Sequence, residues 1–389
     1  MATLRSDTIS GIGTEGPVLN GGLHFRSKNY LTLPKGTTAE RTATSSGIST
    51  VIGAIRYNTD SNKMECYVNN KWMIVSTSSP NLDGGARACY AGGAKDPSAG
   101  NPSVNTIDFV TISSQGNSID FGDMTESKNN MAPAASNVRG YFIGGGNHPT
   151  NNRLNTIEFI TFSTTGNGID FGDLNTTTAD EKSRMAGCNS PTRGIGAGGL
   201  SGNSNRIFYI TMTTSGQGED FGDMTANKEV PSGCSSPSRG IFFSGSDGSG
   251  NISNTIDYIT IATLGNAQDF GDVSVNRQTK AAASNSTRGI FAGGKISPAS
   301  TGTIIDYITI ATRGNTMDFG DLSVAADHAN TGCSSPVRML ISGGGTGPNS
   351  GLNNIQYITI ATQGDSVDFG DRTNDQRRAT GISNANGGL

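Results

Sequence analysis

The tetrapeptide Asp-Phe-Gly-Asp occurs six times in this chain, starting at Asp120, Asp170, Asp220, Asp269, Asp318 and Asp368. The intervals are 50, 50, 49, 49 and 50 residues. A fixed period of that size marks one supersecondary unit copied along the chain. One copy cannot bury its apolar faces alone, so neighbouring copies must share a core. The repeat occupies residues 87–389 and leaves a short N-terminal region that does not repeat. It also makes the most frequent motif a candidate for scaffold before chemistry.

The copy from Thr279 to Val324 reads strand by strand. Ala281-Ala282-Ala283 is a small apolar strand, followed by the turn Ser284 to Thr287. Arg288 to Gly294 is a second strand ending in two glycines, and a loop runs from Lys295 to Gly302. Ile305 to Ile310 alternates β-branched and aromatic residues, a strong strand signal. Thr312-Arg313-Gly314-Asn315 is a tight turn in which Gly can supply φ > 0. Met317 to Leu322 is a short fourth strand. Short connections favour antiparallel pairing, and no helical period is present. Four such strands make the blade of a β-propeller.

Composition agrees with a globular chain. The hydrophobic fraction is 33%, and 55 glycines bring the usual apolar tally to an ordinary level. The net charge of −4 and the lack of a basic block argue against nucleic-acid binding. No apolar run approaches the roughly 18 residues of a membrane span. Met1 to Asp7 has no apolar segment of the secretory type. The expectation is a protein that stays in the producing cell or leaves as part of an assembly.

Three of the five cysteines, Cys188, Cys234 and Cys333, share one repeat position where Ala134 and Ala283 stand in other copies. A Cys that alternates with Ala reads as a small buried residue, which with Cys66 and Cys89 argues against disulfides. No Cys-x-x-Cys pair offers a structural zinc site.

The repeat resembles the kelch type. Gly92-Gly93, Gly144-Gly145, Gly198-Gly199, Gly293-Gly294 and Gly343-Gly344 fit its glycine pair, and Ser244-Gly245 departs from it. Tyr209, Tyr258, Tyr307 and Tyr357 fit its central tyrosine, with Phe109 and Phe159 in two copies. Phe replaces Trp in the outer strand, so the pattern is kelch-like. The expected fold is all-β: a six-bladed kelch-like β-propeller over residues 81–389, behind a short β-rich region over 1–80. The orphan segment Arg378 to Asn384 aligns with the first strand at Ala329 to Ser335 and is expected to complete the first blade. Val75 to Pro80 is a competing donor.

In the N-terminal region, Gly53 to Asn58 and Met64 to Val68 read as two strands joined by Thr59 to Asn62. A second turn at Asn69-Asn70 leads to Trp72. Ile55-Arg56-Tyr57-Asn58-Thr59, Glu65, Tyr67 and Trp72 resemble a segment of tailed-phage fibre and virion structural proteins. Asp-Phe-Gly-Asp, preceded by Tyr-Ile-Thr-Ile-Ala-Thr at Tyr258 to Thr263, resembles virion proteins of phages infecting cyanobacteria. The resemblance implies a non-enzymatic structural protein of the virion tail or a fibre. It implies attachment to other virion proteins through the N-terminal region, no cofactor, and a homotrimer and recognition of a host cell-surface glycan or protein as its expected partners. The alternative is a carbohydrate-binding lectin or a glycan-acting propeller enzyme.

No catalytic, cofactor-binding or metal residue emerges from the pattern. Pairs such as Asp120 with Asp123 suit Ca²⁺ in residue type, but two carboxylates supply few of its six to eight ligands. They read instead as turns accepting backbone N–H groups, or as partners of the repeat arginines Arg87, Arg139, Arg193, Arg239, Arg288 and Arg338. Those arginines have a second reading as an anion-facing ring in a central channel. His24, His148 and His328 occupy unrelated positions. Loops after the second strand, Ala94 to Val104, Gly146 to Asn155, Leu200 to Asn205 and Thr346 to Asn354, differ among copies, while the other turns are alike. Varied loops on a fixed scaffold are where binding is expected.

Overall fold

The computed structural model describes residues 33–42, 53–61, 63–68, 71–74, 86–94, 102–150, 152–174, 182–200, 205–214, 216–247, 249–279, 281–296, 300–327, 330–345 and 351–389. They form an all-β structure whose one helical turn is the 3₁₀ segment Ala39–Thr42. No helix among them is long and apolar enough to cross a membrane. The chain divides into two compact units, Met1–Ser79 and Pro80–Leu389.

In the first unit, Ile55–Asn58, Lys63–Val68 and Lys71–Ile74 form an antiparallel meander. Lys35–Gly36 adds a short parallel strand against Tyr57 and Asn58, which the sequence pattern does not announce. Tyr67 and Trp72 stand opposite each other with ring centroids 5.4 Å apart, and Arg56 lies over the Trp72 ring. Glu65 is fully buried between an ion pair to Arg41 and a 2.8 Å hydrogen bond from Asn58. The turn expected at Asn69-Asn70 and the strand donor expected at Val75 to Pro80 lie outside the described residues.

The described residues of the second unit form six antiparallel sheets. Five of them follow the chain in simple up-and-down order. The second sheet is Ala132–Ala135, Arg139–Asn147, Asn152–Thr161 and Ile169–Asp173. The third is Ala186–Asn189, Arg193–Ala197, Arg206–Thr211 and Glu219–Asp223. The fourth is Ser232–Ser235, Arg239–Phe243, Thr255–Thr260 and Gln268–Asp272. The fifth is Ala282–Ser284, Arg288–Ile296, Ser300–Thr309 and Met317–Ala326, with Arg277–Gln278 also paired to its second strand. The sixth is Asn330–Ser334, Arg338–Gly343, Asn354–Thr359 and Val367–Asp371.

The first sheet joins the two ends of the repeat region. Arg87–Ala91, Thr106–Thr111 and Ile119–Asp123 supply three strands, and the C-terminal Thr380–Ser383 supplies the fourth. Ile382 faces Cys89 across this antiparallel pair. The orphan segment therefore forms a strand where the alignment places it.

Sheet packs on sheet. Each apolar cluster draws on two consecutive sheets: Phe109, Phe121 and Cys89 of the first meet Phe142, Ile160 and Phe162 of the second. Ala88, Tyr90 and Val110, on the other face of the first sheet, meet Cys333, Leu340 and Phe369 of the sixth. Both faces of the middle strands are thereby covered, and burying each large side chain stabilises the fold by about 1.5–3 kcal/mol.

Asp-Phe-Gly-Asp is a strand with a β-bulge, not a turn. Gly122 faces Ile107 and Asp120 faces Asp108, leaving Phe121 as the extra residue. The same register shift recurs in the other five sheets. The bulge drives the Phe ring into the core, edge-on to Phe109 at 5.7 Å. It also bends the main chain onto the next sheet. Gly166 N–H donates to the Phe121 carbonyl at 2.8 Å, and Gly168 N–H to that of Asp123 at 2.7 Å. Asn167 Oδ1 accepts the Asp123 N–H at 3.1 Å. The joint repeats from sheet to sheet and links the sixth to the first, where Gly116 N–H reaches Phe369 O at 2.9 Å and Asn117 Oδ1 accepts Asp371 N–H at 3.0 Å.

Two sequence expectations are corrected. Lys295, Ile296 and Ser300 to Gly302, expected in a loop, continue the strands, and so do Gly146, Asn147 and Asn152 to Asn155. The glycine pairs do not end these strands: Gly144 and Gly145 adopt φ of 61° and 119°, make an irregularity in the ladder, and pairing resumes beyond them. The fourth strand of the fifth sheet likewise runs on to Ala326 because Ala326 pairs with Gly302.

Candidate functional site

The Asp-x-x-Asp carboxylates and the repeat arginines are not partners. Each arginine lies over the aromatic ring of its own third strand, as Arg139 does over Phe159 at 4.4 Å and Arg288 over Tyr307 at 4.9 Å. In Arg87, Arg193, Arg239, Arg288 and Arg338 the Nη1 also donates to a carbonyl at the end of the third strand of the next sheet. Arg239 reaches Ile310 O at 3.0 Å, Arg288 reaches Ile360 O at 2.9 Å, and Arg338 reaches Ile112 O of the first sheet at 3.1 Å. This corrects both earlier readings: the guanidinium clamps main-chain carbonyls, because those groups are left unpaired where the third strand turns. The Asp carboxylates stay at the surface, and the main chain of the motif makes the inter-sheet bonds, so the reading of these carboxylates as turn caps is also corrected. No group of three or more His, Cys, Asp or Glu among the described residues is placed to hold a metal ion.

A cavity of about 50 Å³ is lined by small residues of all six first strands, among them Gly187, Cys234, Ala283, Gly332 and Gly381. Asn386 also lines it and exchanges amide hydrogen bonds with Asn189. None of the six repeat arginines contributes to its wall. Cys89, Cys188, Cys234 and Cys333 are free and buried, and burial raises their thiol pKa values, to about 12 at Cys234 and Cys333.

Charges buried beside the third strands are structural. Lys128 Nζ lies 2.7 Å from Glu158, Lys228 Nζ 3.2 Å from Asp257, and Arg277 Nη1 2.9 Å from Asp306. All six groups are 0–1% exposed. At the next joint the equivalent positions are Ala326, at the end of the fifth sheet, and Gln356 of the sixth, so both charges vanish together. Beside the first sheet, Gln376 takes the cation position and Arg372 approaches Asp108 from four residues upstream. The sequence signal for these pairs is a Lys or Arg eight residues after the first Asp of the motif, as at Lys128, Lys228 and Arg277.

The two ends of the sheets differ in kind. Turns after the first strands are near copies: Ser136, Ser190, Ser236 and Ser335 each donate their N–H to the carbonyl of the arginine three places on, at 2.8–2.9 Å. At the opposite end the second and third strands are joined in unlike ways. The second and fifth sheets extend into long hairpins, while in the fourth Asp247 Oδ1 accepts the N–H groups of Ser249 and Asn251. Neighbours bond to each other there: Ser103 N–H donates to His148 O, and His148 N–H to Ser103 Oγ, both at 2.9 Å. His24 and His328, and parts of the loops at 95–101, 201–204 and 346–350, lie outside the described residues.

On this varied end lies a cavity of about 170 Å³ between the second-sheet hairpin and the segments leading into the first strands of the first, second and third sheets. Arg153, Arg184 and Arg378 line it with Asn129, Asn130, Asn147, His148 and Asn152. The sequence pattern points to the hairpin as a varied loop and to Arg378 as the start of the orphan strand, but not to Arg184. Arg184 and Arg378 share a repeat position with Asn130 and Val230, and all four adopt φ of 55–62°. No family model matches the chain, and no curated protein matches it either.

Proposed function

We propose that the six sheets are the blades of a closed, six-bladed kelch-like β-propeller, serving as a non-enzymatic structural protein of a tailed-phage virion, in the tail or a fibre. Closure is supported by the joints between the sixth and first sheets. Arg338 clamps Ile112 O, Gly116 bonds Phe369, and Gly381 N–H donates to Thr331 Oγ1 at 2.8 Å. The placement in a virion rests on the resemblance of residues 55–72 and of the Asp-Phe-Gly-Asp context to phage structural proteins. In this reading the N-terminal unit attaches the chain to other virion proteins as a homotrimer, and the varied end of the propeller contacts a host-surface glycan or protein.

The observation that carries the recognition reading is the contrast between the ends. Turns and joints at one end are repeated sheet after sheet, whereas the connections at the other end differ in length, hydrogen bonding and charge. A scaffold held constant beneath unlike contacts is the arrangement of a binding face. Replacing residues 146–155 by the short connection at residues 200–205 tests it, since loop closure costs change little with length. Loss of adsorption or of particle assembly, with unchanged unfolding, is the expected result. Particles that assemble and adsorb normally with the swapped loop would reject the reading. Mass spectrometry of purified particles and light scattering of the purified chain test the virion placement and the trimer.

A further inference from the structure

We propose that the cavity among Arg153, Arg184 and Arg378 binds the carboxylate of an acidic saccharide, with the Asn147 and Asn152 amides facing its hydroxyls. This rests on the reading of the varied end as a recognition face and names the class of ligand it takes.

The argument starts from charge. Three guanidiniums line one cavity, and none of them forms an ion pair with a carboxylate among the described residues. The nearby acid Asp327 is occupied by Arg377, to which it is ion-paired. Burial and the charges of Arg184 and Arg377 make the protonated form of Arg378 less favourable than in an ordinary arginine, and Asp327 offsets them only in part. Like charges brought together at Arg184 and Arg378 are costly where the acid that offsets them, Asp327, is already paired with Arg377, and an incoming oxyanion relieves that cost. A guanidinium presents a planar fork that matches a carboxylate in two-point fashion.

The backbone supports the same assignment. Arg184 and Arg378 hold φ of 62°, uncommon for bulky side chains. Asn130 and Val230 share this backbone at their repeat positions, so the conformation belongs to the repeat. What is particular is the choice of arginine in the two copies that flank Asn130, whose N–H donates to Arg378 O and whose carbonyl accepts from Arg184 N–H. Arg153 comes from the long hairpin of the second sheet, so the varied connection completes the cluster. Amides beside the guanidiniums supply donors and acceptors for hydroxyl groups, which a site built for a bare inorganic anion does not need.

Calorimetric titration of the full chain with glucuronate, glucose and inorganic phosphate, at low and moderate salt, tests this. Glucuronate should bind at least about tenfold more tightly than glucose, with the preference reduced by salt, since an Arg–carboxylate contact is charge-assisted. The R184Q/R378Q variant should lose that preference. Its unliganded thermal unfolding should be unchanged or raised, because it removes mutual repulsion. Equal binding of glucuronate and glucose, no binding of either, or binding of phosphate with none of glucuronate would each overturn the proposal. So would a variant that keeps the preference, or one that unfolds at lower temperature without ligand. If titration fails while the loop exchange still abolishes adsorption, the recognition face stands and only the ligand class falls.

Discussion

Gly370 and Gly116 meet across the two ends of the repeat region. A Cβ added to Gly370 would lie 2.5 Å from the Gly116 carbonyl oxygen, and Gly370 itself holds φ of 149°. The same approach recurs at Gly271 on Gly314 and at Gly320 on Gly364. The glycine of Asp-Phe-Gly-Asp is therefore fixed by the neighbouring sheet as much as by its own bulge. Gly364, with φ of 153° but open space around its missing Cβ, is an internal control. Gly370→Ala should cost about 1–3 kcal/mol more than Gly364→Ala, the excess being overpacking at the joint. Denaturant unfolding of the two variants measures it, and equal losses would remove the joint from the explanation of the motif.

Deleting residues 379–389 should destabilise the whole second unit. It removes the Thr380–Ser383 ladder, the buried Ile382 and the Asn386 contact with Asn189. A loss of several kcal/mol corresponds to a fall in Tm of about 5–10 °C in a unit of this size. Scanning calorimetry should show one cooperative transition shifted down. An unshifted transition would mean that the C-terminal strand is not a clasp.

How much was legible in the sequence follows from where the determinants sit. Strand content and the C-terminal strand could be read because β-branched alternation and a copied segment are side-chain patterns. The role of Asp-Phe-Gly-Asp could not, because its Phe121 and Asp123 act on the next sheet through their carbonyls, which every residue possesses. The same holds for Arg288, whose acceptor is the Ile360 carbonyl and not an Asp. The long hairpins are not legible because a Gly-Gly pair such as Gly144-Gly145 reads as a strand end, whereas positive φ there only interrupts the ladder. The arginine cavity was hidden for another reason. Arg153, Arg184 and Arg378 come from three separate copies, and no local pattern joins them.

The repeat also supplies its own mutagenesis. Asp257→Gln should be severely destabilising, by about 3–5 kcal/mol, because it leaves the Lys228 ammonium buried without its carboxylate. Burial already lowers the Lys228 pKa, and Asp257 opposes that. The double variant K228A/D257Q reproduces the Ala326 and Gln356 combination and should recover about 2 kcal/mol or more of the loss. A double-mutant cycle by urea unfolding reads the coupling, and strictly additive losses would refute it.

Cys188, Cys234 and Cys333 make the alkaline limb of stability testable. Burial raises each thiol pKa in the folded state, to about 12 at Cys234 and Cys333, against roughly 8.5 in an unfolded chain. Between those values the folded state holds protons that the unfolded state has released. The stability linked to these thiols is thus fully present below about pH 8.5 and is lost as pH rises towards 12, at about 1.4 kcal/mol per pH unit for each group. Alanine already occupies this position at Ala134 and Ala283, both buried, so the site accepts the smaller side chain. The C188A/C234A/C333A variant should fold, and its stability between about pH 9 and 11 should fall less steeply than that of the parent chain. Parallel alkaline limbs in urea unfolding would show that these thiols are not what couples the fold to high pH.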